Sequence, residues 1–236
     1  WDSVARGFSY EELLIFENLF RESILCIRFF QTDKAAVLQL NKMSEKSTFD
    51  IKYPNIPITA TKDEKDLMES ISLIFMRIDP VMFNEIMQDQ FPLLVDQMNK
   101  NPALLHIPHF FLSNEMVSGN FMGILISYLK SRLHELGALD LMNAHILLRL
   151  FKLFLLSLNL YPAQNEEFLL PHLNELILQS LKYSTTANEP LIYFYFIRIL
   201  FKSIGGGRFE KLYKEVMPLM QKLLESLNKL IESARS

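Results

Sequence analysis

The sequence predicts an all-α fold of stacked antiparallel helix pairs. Three observations carry that expectation. Glycine and proline number 7 and 10 in 236 residues and gather at boundaries between long stretches whose apolar residues recur every three or four positions, the spacing of one helix face. No clear run alternates apolar and polar residues as a half-buried strand would. A proline-centred pattern also returns three times, as Gln90-Phe91-Pro92-Leu93-Leu94, Leu169-Leu170-Pro171-His172-Leu173 and Val216-Met217-Pro218-Leu219-Met220.

Aligned on the proline, an apolar residue precedes it each time: Phe91, Leu170, Met217. Another falls two after (Leu94, Leu173, Met220) and a third six after (Met98, Ile177, Leu224). The last two columns are four apart and share a helix face. Pro171 and Pro218 are 47 residues apart, and Pro92 and Pro171 are 79 apart. The second spacing is about twice a 40-residue period, and helix-pair repeats of about 40–47 residues are the HEAT or armadillo signature. One helix pair cannot bury its apolar face alone; stacking buries a continuous core and leaves a long concave surface. The prolines are expected at helix starts, where a missing N–H costs little. A compact bundle with prolines aligned by chance is the alternative, and three columns in register favour the solenoid. Residues 1–236 are therefore read as one continuous HEAT-like α-solenoid segment of a larger protein.

The elements follow in order. Ser9 and Glu12 form a capping box, each side chain meeting an N–H that the helix start leaves unpaired. Leu13, Phe16, Leu19, Phe20, Ile24, Ile27 and Phe30 then carry a helix to about Phe30. Residues 43–61, with Pro54, Pro57 and weak periodicity, read as a long exposed loop. Thr61 and Glu64 repeat the capping signature ahead of Leu67 to Ile78. Asp79-Pro80 and Asn101-Pro102 each set a capping side chain before a proline at the first helical position. Leu141 to Leu160 and Leu191 to Ile204 are apolar enough to need a membrane test. Arg149 and Lys152 sit near the middle of the first, where charge is costly in lipid. The second is too short to span and carries Arg198 and Lys202. Both read as inner helices of the stack with one polar stripe reaching water. Gly205-Gly206-Gly207 ends the second as a cap and tight turn, where glycine tolerates positive φ.

Composition narrows the function. Net charge is −3 with both signs scattered, without the basic excess of a nucleic-acid surface. The single cysteine, Cys26, excludes an internal disulfide framework and fits a reducing compartment. It lies in the apolar run Ile24-Leu25-Cys26-Ile27 and is expected to be buried and inert. Trp1 in place of an initiator Met, with no basic stretch ahead of an apolar one, reads as an excerpt and not a secretory precursor.

Catalytic patterns fail in turn. His106 and His109 share a helical spacing, but Pro108 lies between them and no Cys, Asp or Glu stands close to complete four ligands; the zinc-protease pattern is absent. The glycine triplet lacks the Gly-Lys-Ser/Thr and preceding strand of a phosphate loop. Glu11-Glu12 and Glu166-Glu167 sit at helix starts, where the dipole favours negative charge. The 11 Met and 19 Phe fall mostly at core-periodic positions, and Ile192-Tyr193-Phe194-Tyr195-Phe196 suggests burial between layers. No enzyme activity, metal or cofactor is expected.

Four stretches add a resemblance. They are Leu14 to Phe20 with Cys26; Ile78 to Ile86; Asn165 to Leu173; and Glu189 to Gly207 with Leu212-Tyr213-Lys214-Glu215 and Pro218-Leu219. In consistent order over most of the chain, they resemble the HEAT-repeat region of the TRRAP family of transcription-associated pseudokinases, fungal counterparts included, within the phosphatidylinositol-3-kinase-related group. The loop at 43–61 matches nothing in it. The resemblance implies a nuclear, non-catalytic scaffold segment of histone acetyltransferase coactivator complexes of the SAGA or MYST type, on which transcription activators dock. It carries over no catalytic residue. Direct nucleic-acid or membrane binding is not expected. A HEAT-repeat transport or trafficking adaptor shares the architecture, because fold alone does not fix function. On the scaffold reading, Arg149, Lys152, Arg198 and Lys202 are the candidate contacts for acidic activation segments; their alternative role is a solvated or internally paired stripe.

Overall fold

A computed structural model of the chain describes residues 9–27, 62–138, 140–205 and 208–233. Among them every regular element is helical and no strand occurs. The chain divides into two compact units, 1–111 and 112–236.

In the first unit α1 spans Tyr10–Ile27, α2 Lys62–Phe75 and α3 Pro80–Lys100, followed by a 3₁₀ turn, Pro102–Leu105. The expected capping box opens α1: Ser9 N–H donates to Glu12 Oε2 at 2.7 Å, and Glu12 N–H to Ser9 Oγ at 3.2 Å. The inner face of α1 is Phe20, Ile24 and Ile27, with Phe20 edge-on to Phe75 of α2 at 4.8 Å. Leu19, expected on that face, is exposed. Cys26 corrects a second expectation, because it is exposed. It lies two residues past Ile24, about 200° around the helix, so the face that buries Ile24 turns Cys26 outward. Phe30, Thr61 and the loop at 43–61 lie outside the described residues.

Asp79 caps α3 as expected, its Oδ1 accepting from Val81 N–H at 2.9 Å and Met82 N–H at 3.3 Å, with Pro80 opening the helix. Asp79→Ala is expected to cost about 1 kcal/mol, read by urea denaturation as a lower midpoint at unchanged slope. Asn101 caps Ala103 N–H at 3.1 Å, though the turn it opens is 3₁₀ and not α.

The second unit shows the repeat directly. Helix α4, His106–Ser113, enters it. Then come α5 (Glu115–Ser131), a 3₁₀ turn at Leu133–Gly137, α6 (Leu141–Leu160), α7 (Pro162–Leu169) and α8 (Leu173–Ser184). Next are α9 (Leu191–Ile204), α10 (Glu210–Val216) and α11 (Met220–Ser233). Contacts between distant residues keep a constant offset. Phe151 meets Phe196 at 4.4 Å, and Asn159 Nδ2 donates to Ser203 O at 3.1 Å. So α6 and α9 run parallel, about one repeat apart. Gln164 Nε2 reaches Glu115 O at 3.4 Å, and Lys130 Nζ reaches Glu175 at 3.0 Å. Helix α5 is therefore parallel to α7 and α8 at a similar offset. Asn174 Nδ2 donates to Glu215 at 2.7 Å, tying α8 to α10. Equivalent helices of successive repeats within the second unit thus lie side by side, as stacking of 40–47-residue repeats requires.

The prolines differ from expectation. Pro171 and Pro218 do not start helices. Each occupies a single 3₁₀ turn, Leu170–His172 or Met217–Leu219, that bends one helix into two. Proline removes one intrahelical hydrogen bond and crowds the preceding turn, so the helix yields there. Pro92 lies inside the unbroken α3, so only the later two are equivalent. Gly205 also departs from expectation. It ends α9 at φ −66°, an extended and not left-handed conformation, its N–H reaching Phe201 O at 2.9 Å. Gly206 and Gly207 lie outside the described residues.

Helix α6 is long and apolar enough to cross a membrane by length and composition, but more than half of that span is buried within this fold. It behaves as the core helix its polar stripe suggested.

Candidate protein-docking surface

The four cations come from two neighbouring helices. Asp140 starts α6 by accepting Asn143 N–H at 3.1 Å. Buried Leu147, Leu150, Phe151, Phe154 and Leu158 fix the rotation of α6. That rotation leaves Arg149 and Lys152 half-buried at the edge of the core. On α9, Ile192, Tyr193, Phe196, Ile197 and Leu200 face inward, which turns Arg198 and Lys202 to solvent. The five-residue run from Ile192 is thus only partly internal: Phe194 and Tyr195 are half-buried.

The parallel packing of α6 on α9 brings the stripes together. Lys152 Nζ sits 5.4 Å from the centroid of the Tyr195 ring, within cation–π range. Arg198 lies three residues from Tyr195 and Lys202 four further, one side of α9. Leu156 and Leu160 on α6 and Leu191 on α9 are exposed. The sequences of α6 and α9 contain no Asp or Glu, so both helices contribute only positive charge. Tyr195 is the member that sequence reasoning missed. Its position one turn before Arg198 was the available signal, but the expectation that the whole aromatic run is buried hid it.

Burial sets the electrostatics. Desolvation pushes the Arg149 guanidinium down to about 10, still charged at neutral pH. His145, one turn away, is held below its usual 6.5 by burial first and then by the Arg149 and Lys152 charges. A depressed histidine contributes stability that is present above 6.5 and lost as pH falls toward the folded-state value. His145→Gln is expected to flatten the acid side of the stability profile below pH 6.5, checked by thermal melts across pH 5–8.

His106 and His109 fall on α4, each about 6 Å from the Phe110 ring. Burial holds His109 below the usual histidine range. Among the described residues no group of three His, Cys, Asp or Glu is placed to hold a metal.

Comparison with known proteins gives a consistent family. The family model described as the Tra1 HEAT repeat central region matches residues 1–236. The chain is 49% identical over 235 residues to the SAGA complex/NuA4 acetyltransferase complex subunit TRA1 of Saccharomyces cerevisiae, which covers all of this chain and 6% of that protein. The Schizosaccharomyces pombe subunit of the same description is 38% identical over 237 residues, again all of this chain and 6% of the relative. The human transformation/transcription domain-associated protein is 40% identical over 181 residues, 76% of this chain and 5% of its own length.

Proposed function

The chain belongs to the Tra1 family, as a segment of its central HEAT-repeat region, and from that premise we propose that it is a non-catalytic scaffold segment of a nuclear acetyltransferase coactivator complex of the SAGA or NuA4 type. In this reading residues 1–236 form one continuous stretch of the repeat array. Its work is to bind: inner helices supply rigidity, and exposed stripes between repeats present contacts to other subunits and to transcription activators.

The observation that carries the docking part is the parallel pair α6 and α9. On it Lys152 lies over the Tyr195 ring, Arg149 lies one turn before Lys152, Arg198 and Lys202 follow along the same side of α9, and Leu156 and Leu160 are exposed, on helices free of acidic residues. An acidic segment with interspersed apolar side chains matches both features. Carboxylates meet the cations, and apolar groups cover Leu156 and Leu160. Arg149 is already desolvated, so less solvation remains to be removed when an anion arrives.

The test is capture of acidic activation segments by the intact complex. Reversing all four charges is expected to lower affinity at least about tenfold and to reduce its salt dependence. Arg198→Glu with Lys202→Glu, both at exposed positions, gives part of the loss without disturbing the core. Unchanged binding in both variants removes these residues from the docking surface. Co-purification of the parent protein without any acetyltransferase would overturn the complex assignment.

A further inference from the structure

We infer that the partner segment seated on α6 and α9 is an amphipathic helix that crosses both of them obliquely, with a central row of carboxylates and apolar side chains on either flank. It rests on the docking reading above and specifies the occupant's shape and the order of its side chains. Register carries it. A shift of 46 residues lays the inner side of α6 on that of α9: Leu147 falls on Tyr193, Leu150 on Phe196 and Phe154 on Leu200, all buried. The same shift pairs the outward positions, Arg149 with Tyr195, Lys152 with Arg198 and Leu156 with Lys202. On α6 these slots stay open although α9 packs beside it, and Leu156 is 49% exposed. Their exposure on α9 is therefore a property of the outward face.

Positive charge consequently slants across the pair. Arg149 lies on α6, Lys152 and Arg198 share one level, and Lys202 lies on α9 one turn further on. Lys152 over the Tyr195 ring at 5.4 Å holds the centre of the row. From Arg149 to Lys202 the row descends about 10 Å along the helices and steps sideways by about 8–10 Å, so it runs at roughly 45° to both. Apolar groups fill the other two corners. Leu156 and Leu160 lie toward the C-terminal end of α6, and Leu191 with the Tyr195 ring toward the N-terminal end of α9. An extended chain turns alternate side chains to opposite sides and lays a single row on a surface. A helix presents adjacent rows, and residues three and four apart stand about 5–6 Å from each other. Carboxylates at i, i+4 and i+7 therefore follow the cations, while residues beside them reach both apolar corners.

The intact complex containing the parent protein tests this with two synthetic peptides of one composition, each hydrocarbon-bridged into a helix on its outer face. In the first, Glu at i, i+4 and i+7 forms the central row and Leu lies on both flanks. In the second, Glu fills one flank and Leu the other. The first is expected to bind at least about tenfold more tightly. A benzophenone amino acid on one of its flanks is expected to attach to α6 between Leu156 and Leu160, and on the other flank to α9 between Leu191 and Tyr195. Equal affinities, or adducts from both flanks on a single helix, overturn the inference; the docking reading survives them if reversing the four charges still weakens binding. Binding of neither peptide, or binding that charge reversal leaves unchanged, overturns both.

Discussion

Gly137→Ala is expected to destabilise the second unit by about 3 kcal/mol, the upper part of the range for overpacking a filled core. A Cβ there would lie 2.6 Å from Tyr193 Cε2 and 2.6 Å from Ala187 Cβ. Neither atom is the end of a flexible chain. Tyr193 is buried and anchored at its hydroxyl, which accepts from Gly137 N–H at 3.2 Å and donates to His134 O at 2.9 Å. Moving the ring breaks both bonds, and moving the turn disturbs the packing of Leu133 and Leu136, which are also buried. Tyr193→Phe isolates the polar part. It removes both bonds without a clash and is expected to cost about 1–2 kcal/mol. If Gly137→Ala is no worse than Tyr193→Phe in denaturant titration, the steric account is wrong. Burial holds the Tyr193 phenol above its usual 10.0, and a raised value means stability that is present below pH 10 and lost as pH rises through the folded-state value. The gap between parent and Tyr193→Phe should therefore narrow only at strongly alkaline pH.

Gly137 also marks what a sequence hides. Its neighbours Leu133 and Leu136 read as ordinary helix positions. The requirement for glycine comes from Tyr193, 56 residues away. The capping signals at Ser9 and Asp79, by contrast, involve partners two or three residues off, and both were legible because their chemistry is local. The repeat was legible for the same kind of reason, since 47-residue spacing survives divergence of the intervening side chains. The role of its prolines was not. A proline after an apolar residue is compatible with a helix start, a mid-helix 3₁₀ turn or an unbroken helix, and Pro171, Pro218 and Pro92 take the second and third of these. Cys26 was misjudged from the apolar residues beside it, when the face is set by residues three and four away. Of the candidate surface, the four cations were found from spacing within each helix. Their juxtaposition depends on α6 and α9 packing in parallel, which local periodicity does not encode.

The buried polar cluster at the junction of α5, α6 and α7 supplies the second large effect. Asn165, fully buried, donates through Nδ2 to Ser157 O at 3.0 Å and to the hydroxyls of Ser157 at 3.0 Å and Ser118 at 3.2 Å. The two hydroxyls lie 2.8 Å apart, and Ser157 Oγ also donates to Leu112 O at 3.0 Å. Asn165→Ala removes the shared donor and leaves a void, with an expected cost of about 3 kcal/mol. The repeat itself suggests the rescue. Ser118, Asn165 and Leu212 succeed one another at 47-residue intervals, and all three are buried, so the fold accepts either chemistry at this place. Leucine at 165 fills the volume but leaves the Ser118 oxygen without the N–H it accepts from Asn165. Ser118→Ala beside Asn165→Leu removes that stranded partner while Ser157 still serves Leu112 O. The double variant is expected to be about 1 kcal/mol more stable than the sum of the single changes, because deleting both partners costs less than deleting one. Additive changes in a double-mutant cycle would mean that the cluster is a set of separate bonds. Coupling of that size would mean that the junction between repeats is locked by a network that the neighbouring repeat replaces with a hydrophobic contact.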